Sequence, residues 1–129
     1  MKTILALALL VTAIPAVAQT KKTQVYFSCT CNDATGSALA CAIRDQLAVS
    51  PRYLESTDTK VETYQLQMVT MDPSESNAGR SAIYAIAVTF GYHNSVELFD
   101  TLSVGICARD RVSTCASDVM ATVDRWARQ

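Results

Sequence analysis

Polar and apolar positions alternate along much of this chain, and the places where the period changes mark its elements. In residues 24–31, Val25, Phe27, Cys29 and Cys31 share one face, and Gln24, Tyr26, Ser28 and Thr30 share the other. A period of two predicts a half-buried strand. Asn32-Asp33 ends it, and Asp33 or Thr35 is placed to cap a helix. Ala38, Leu39, Ala42, Ile43 and Leu47 then recur at helical spacing, with Arg44, Asp45 and Gln46 on the wet side. Ser50-Pro51 stops that helix, because proline disfavours α geometry in the residue before it.

Residues 52–55 read as a short strand and 61–71 as a longer one, with Tyr64, Leu66 and Met68 opposite Thr63, Gln65 and Gln67. Residues 72–80, Asp-Pro-Ser-Glu-Ser-Asn-Ala-Gly-Arg, are a loop. Residues 81–92 are apolar on both faces, which predicts a central strand. His93-Asn94-Ser95 turns the chain into a strand over 96–107, with Leu98, Leu102, Val104 and Ile106 expected inward. Asp100 shares their parity, so a bulge or strand end is expected near it. After a polar connection at 108–112, Ser113 or Thr114 is placed to cap a last helix striped by Ala116, Val119, Met120, Val123 and Trp126. The order is β-α-(β)-β-β-β-α. It predicts an α+β two-layer sandwich: a mainly antiparallel sheet of four or five strands, with two helices on one face.

The first eighteen residues change the setting. Lys2 precedes an almost unbroken apolar run over 4–14, and Ala16-Val17-Ala18 offers small residues before Gln19. This is the pattern of a cleaved secretory signal, with an apolar core too short to span a bilayer comfortably. The expected mature chain is residues 19–129, one domain, periplasmic or extracellular. Without Lys2 it carries ten Lys/Arg against twelve Asp/Glu, a formal charge of −2. No basic cluster follows Lys21-Lys22, which argues against nucleic acid as a partner. No second long apolar run predicts a membrane span. Cys29 lies eleven residues past Ala18, too far from the signal for lipid attachment, and no Asn-x-Ser/Thr site occurs.

The stretch Cys41-Ala-Ile-Arg-Asp-Gln-Leu-Ala-Val-Ser-Pro-Arg-Tyr-Leu-Glu55 is an amphipathic helix ending in a Ser-x-Arg-Tyr turn that runs into a strand. It resembles small bacterial envelope α+β domains, namely the amino-terminal domain of TolB and lipoproteins of the LpoB and CsgG type. The resemblance covers residues 41–55 only. It implies a module that binds other envelope proteins or assembles with itself, without catalytic residues.

Five cysteines, Cys29, Cys31, Cys41, Cys107 and Cys115, suit an oxidising compartment and leave one thiol over after two bridges. Cys107 ends a strand and Cys115 begins a helix after a short loop, so a bridge between them is expected to pin that helix. Cys41, one or two turns into the first helix, is expected to reach Cys31, with Cys29 the buried free thiol. The alternative reading makes Cys29-Thr-Cys31 a redox pair or a soft-metal site, aided by Met68, Met71 or Met120. A leftover thiol is also a way to link two chains.

Other chemistry is thin. His93 is the single histidine; with Ser95 and Asp100 it offers a hydrolase alternative, but no Gly-x-Ser-x-Gly elbow supports it. Asp72, Glu75, Asp100 and Asp110 read as solvated loop and strand-end carboxylates, and Arg109-Asp110-Arg111 as a surface turn. No motif calls for a cofactor. Tyr64, Tyr84, Tyr92 and Phe99 sit on strands and are the candidates for a binding face on whichever side of the sheet the helices leave open. The expected function is therefore a non-enzymatic domain with a protein partner, or a homodimer.

Overall fold

Alternation carries Val25 and Phe27 of β1 (Thr23–Cys31) to one side of a five-stranded sheet, where both are buried. The computed structural model describes residues 21–74, 78–92 and 95–127, with 96–101 as backbone. Asp33 caps α1 (Ala34–Val49), and its carboxylate accepts the Gly36 N–H at 2.6 Å. The buried stripe of α1 is Thr35, Gly36, Leu39, Ala40, Ile43 and Leu47; Ala38 faces water. Ser50 ends the helix and receives the N–H groups of Arg52 and Tyr53 on its hydroxyl, which turns the chain into β2 (Tyr53–Glu55). Then follow β3 (Thr63–Met71), β4 (Ser81–Tyr92), β5 (Ser95–Ala108) and α2 (Val112–Trp126).

The result is an α+β two-layer sandwich with strand order β2-β1-β3-β4-β5. The β3–β4 and β4–β5 ladders are antiparallel and hold most of the paired residues. The remaining pairings are parallel: β1 lies between β2 and β3 and runs with both. Neighbours in sequence thus need not be neighbours in the sheet. The segment 56–62 carries the chain past β1 instead of hairpinning back.

Both helices pack on the same face. Leu39, Ile43 and Leu47 of α1 and Ala116, Val119 and Val123 of α2 meet Val25, Phe27, Leu66, Met68, Ile86 and Val88 in one core. Each fully buried aliphatic side chain there contributes roughly 1.5–3 kcal/mol. Gln46 of α1 donates to the Ser117 hydroxyl of α2 at 3.1 Å, tying the helices side by side. The start of α2 departs from the sequence reading. Neither Ser113 nor Thr114 caps it. A 3₁₀ turn at Arg109–Arg111 feeds the helix directly, and Arg111 stands at the cap without a side-chain bond.

Strand β5 supplies the main correction. Ala82 pairs with Cys107, Tyr84 with Gly105 and Ile86 with Ser103, so the odd-numbered residues of this stretch face the helices. Leu102, Val104 and Ile106, expected inward, point to the uncovered side. The physical reason lies in the bridge to α2. Cys107 is fully buried and sits at disulfide distance from Cys115 on the helix packed over it. A strand has a side-chain period of two, so an inward Cys107 forces 102, 104 and 106 outward.

Candidate functional site: the open face of the sheet

The helix-free face can be built row by row from the register. Met71, Ile83 and Ile106 form one row across β3, β4 and β5; Val69, Ala85 and Val104 form the next; Gln67, Ala87 and Leu102 the third. Five of these are large aliphatic side chains left mostly in water: Val69 53%, Met71 58%, Leu102 59%, Val104 65% and Ile106 71% exposed. At roughly 100 Å² each they present on the order of 500 Å² of apolar surface, at the upper end of what a monomer ordinarily leaves uncovered. Beside them, β1 offers Ser28 and Thr30, partnered with Gln67 and Val69. Towards the other end of the sheet the face turns polar and closed: Gln65 and Thr89 are buried, and Gln65 donates from Nε2 to the Tyr92 carbonyl. Among the strand positions whose side chains are described, this face holds no Asp, Glu, Lys or Arg; the Glu97 and Asp100 side chains of β5 lie outside the described residues.

The face has relief. Ala85 and Ala87 leave a shallow trough along β4, bounded by the β5 ridge of Leu102, Val104 and Ile106 and by Val69 and Met71 on β3. The two-sided apolarity of β4 predicted a central strand, and β4 does lie between β3 and β5, with helices over one of its faces.

Two of the aromatic candidates, Tyr64 and Tyr84, lie on the opposite face. Tyr64 is on the helix side, where its ring meets Phe90 with centroids 5.1 Å apart. Tyr84 packs under α2 and lines a crevice of about 40 Å³ with Ser103, Asp118 and Thr122, room for a water rather than a substrate. Burial, and secondarily the Asp118 carboxylate, push the Tyr84 phenol above the ordinary tyrosine pKa. Tyr92 is exposed at the end of β4, and the Phe99 side chain lies outside the described residues. The exposed block on β3 and β5 is therefore aliphatic among the described side chains, where an aromatic patch was expected. The signal that locates it was present: a Cys107–Cys115 bridge fixes the parity of β5.

The cysteines pair differently from the expected map. Cys107 and Cys115 come together, with Cα atoms 6.1 Å apart. Cys31 and Cys41 do not. Cys29 and Cys31 are joined to each other on the helix side of β1, with Cα atoms 5.5 Å apart, and Cys41 is exposed and free. The reason is helical geometry: the buried stripe passes through Ala40 and Ile43, and Cys41 is turned away from it. Met68 pairs with Cys29 across β1 and β3, Met120 lies at the core edge on α2, and Met71 points to the opposite face. Among the described residues no group of three or more His, Cys, Asp or Glu is placed to hold a metal ion.

Two further polar places are accounted for by their own contacts. An open groove of about 340 Å³ between the end of α1 and α2 holds Arg52, Tyr53 and Asp124. There Tyr53 donates to Asp124 at 2.6 Å and Arg52 pairs with it at 3.5 Å. At the other end, Asp33 accepts from Thr70 at 2.6 Å, Thr35 donates to the Gly79 carbonyl, and Asp72 accepts the Gly79 N–H at 3.1 Å. These bonds tie the loop after β3 to the start of α1. The hydrolase alternative rests on His93, which lies outside the described residues, as do the expected signal segment 1–18 and Glu75.

Among the described residues no helix is long and apolar enough to cross a membrane. No family model matches the chain, and no curated protein matches it.

Proposed function

We propose that this protein is a non-enzymatic docking module of the bacterial envelope or exterior, exported by its amino-terminal segment, and that it binds a protein partner through the open face of its sheet. The observation that carries this reading is the block of five exposed aliphatic side chains on β3 and β5, with no charge among them. Covering such a face on two partners removes on the order of 1,000 Å² of apolar surface. At about 25 cal/mol per Å² that is about 25 kcal/mol gross, against roughly 4–15 kcal/mol for lost freedom on association. The margin suffices for a specific complex. The resemblance of residues 41–55 to envelope domains of the TolB, LpoB and CsgG type points the same way.

The test is site-specific photo-crosslinking in producing cells. A crosslinker at Val104 is expected to give adducts of discrete mass; the same group at Asp45, exposed on α1, is expected to give none. Adducts from Asp45 alone, or from neither position, overturn the reading.

A second reading, thiol–disulfide exchange at Cys29–Cys31, is favoured by the pairing of these two cysteines with only Thr30 between them. It predicts that a glutathione redox buffer at physiological poise reduces and reoxidises this pair while Cys107–Cys115 stays oxidised. Resistance of both pairs to that buffer counts against it.

A further inference from the structure

We infer that the partner on the open face is a second copy of this chain, stacked sheet to sheet about a twofold axis. This rests on the docking reading above and names its occupant. Three observations select a copy over an unrelated protein. The first is charge. A twofold axis sets each residue near the axis against its own image, so any ionised side chain there meets a like charge. The strand positions of this face whose side chains are described hold no Asp, Glu, Lys or Arg, although the chain as a whole carries 23 of them.

The second is shape. An isologous interface must carry both a projection and the recess that receives it. Here the projection is the β5 ridge of Leu102, Val104 and Ile106, and the recess is the β4 trough at Ala85 and Ala87, one strand away. Laying the ridge of one copy in the trough of the other seats the reverse pair at the same time. Sheets stacked in this way pack about 10 Å apart, with side chains of the two faces interdigitating.

The third is size. The five exposed aliphatic residues present on the order of 500 Å², and their neighbours Ile83, Ala85, Ala87 and Gln67 carry the patch toward the roughly 800 Å² per partner of a standard interface. Nothing larger is needed to close a dimer. The product is a four-layer α-β-β-α particle with both helical layers outward. Cys41 lies on α1, on the outer layer of each copy, so the dimer does not depend on a disulfide between chains.

The test is sedimentation velocity on the processed chain recovered from cells, from about 1 to about 200 µM, a range that brackets a standard interface of moderate affinity. The expected species is a dimer that persists in reductant. Val104→Lys places two ammonium groups near the twofold axis and is expected to raise the dimer dissociation constant by at least roughly 100-fold, with an unchanged circular dichroism spectrum. Ile106→Lys is the second variant, should the first fail to fold. Val49→Lys, on the helical side and 82% exposed, leaves the dimer intact. A chain monomeric throughout overturns the inference, as does a dimer lost on reduction or one that survives both β5 variants. If the chain is monomeric and Val104 still crosslinks to a protein of another mass, the docking reading stands and only this inference falls. A monomer without such adducts removes both.

Discussion

A β-carbon built on Gly105 would lie 2.5 Å from the phenolic oxygen of Tyr84, its cross-strand partner on the helix side of the sheet. No side chain fits there unless the ring moves. With Ser103 and Cys107, Gly105 makes the inner face of this part of β5 a row of small residues, over which Tyr84 and α2 lie. The large residues of this part of the strand, Leu102, Val104 and Ile106, are on the other face.

Gly105→Ala is therefore expected to cost about 1–3 kcal/mol through overpacking. The double variant with Tyr84→Leu should recover much of that loss, since the obstacle is then shorter. Thermal unfolding of the single and double variants checks the coupling. Additive losses would mean that the two residues do not share the space.

Tyr84 also predicts a pH dependence. Burial and the nearby Asp118 raise its pKa in the folded state, so the folded chain holds the phenolic proton more tightly than the unfolded chain. The associated stability is fully present below the ordinary tyrosine value of about 10, and is lost as pH rises through the folded-state pKa. Absorbance titration of tyrosinate should show one group ionising late in the wild type and missing in Tyr84→Phe. Identical late transitions in both proteins would refute the assignment.

Asp33 serves two elements at once, accepting from Gly36 at the start of α1 and from the buried Thr70 hydroxyl of β3. Removing it takes away a helix cap, worth about 1 kcal/mol, and strands a buried hydroxyl, worth about 1–3 kcal/mol. Asp33→Ala should lower stability in urea by about 2–4 kcal/mol. Asp33→Asn keeps an acceptor for the Gly36 N–H and should lose less. Gly36 belongs to the same contact: a β-carbon there would run into the Thr70 side chain.

Intact-mass measurement after alkylation without reductant should show one modified thiol, mapped to Cys41. Replacing Cys107 and Cys115 together by Ala removes a ring whose ends are eight positions apart. By loop closure this costs about 2–3 kcal/mol. Alkylation at Cys29 or Cys31 in the native protein would contradict the pairing seen here.

Periodicity along the chain determined the elements, their order and the α+β class, because helix and strand periods are local properties of neighbouring side chains. Residues 24–31, 81–92 and the stripe through Leu39, Ile43 and Leu47 could be read without any partner. Local pattern also showed which residues of a strand share a face. It could not say which face is inside. For β5 that choice belonged to α2 and to the Cys107–Cys115 bridge, which draws the small odd-numbered residues inward and leaves Leu102, Val104 and Ile106 in water. The place of β1 between β2 and β3 is likewise a matter of long-range pairing, which no segment of the sequence carries alone. Cys41 shows the same limit at a single residue: one position on a helix is 100° of rotation, enough to separate a core contact from an exposed thiol. The parts and their amphipathicity are thus local properties. That the apolar side of the last strand is left uncovered follows from long-range packing, because burial depends on what is packed above a face and not on the face alone.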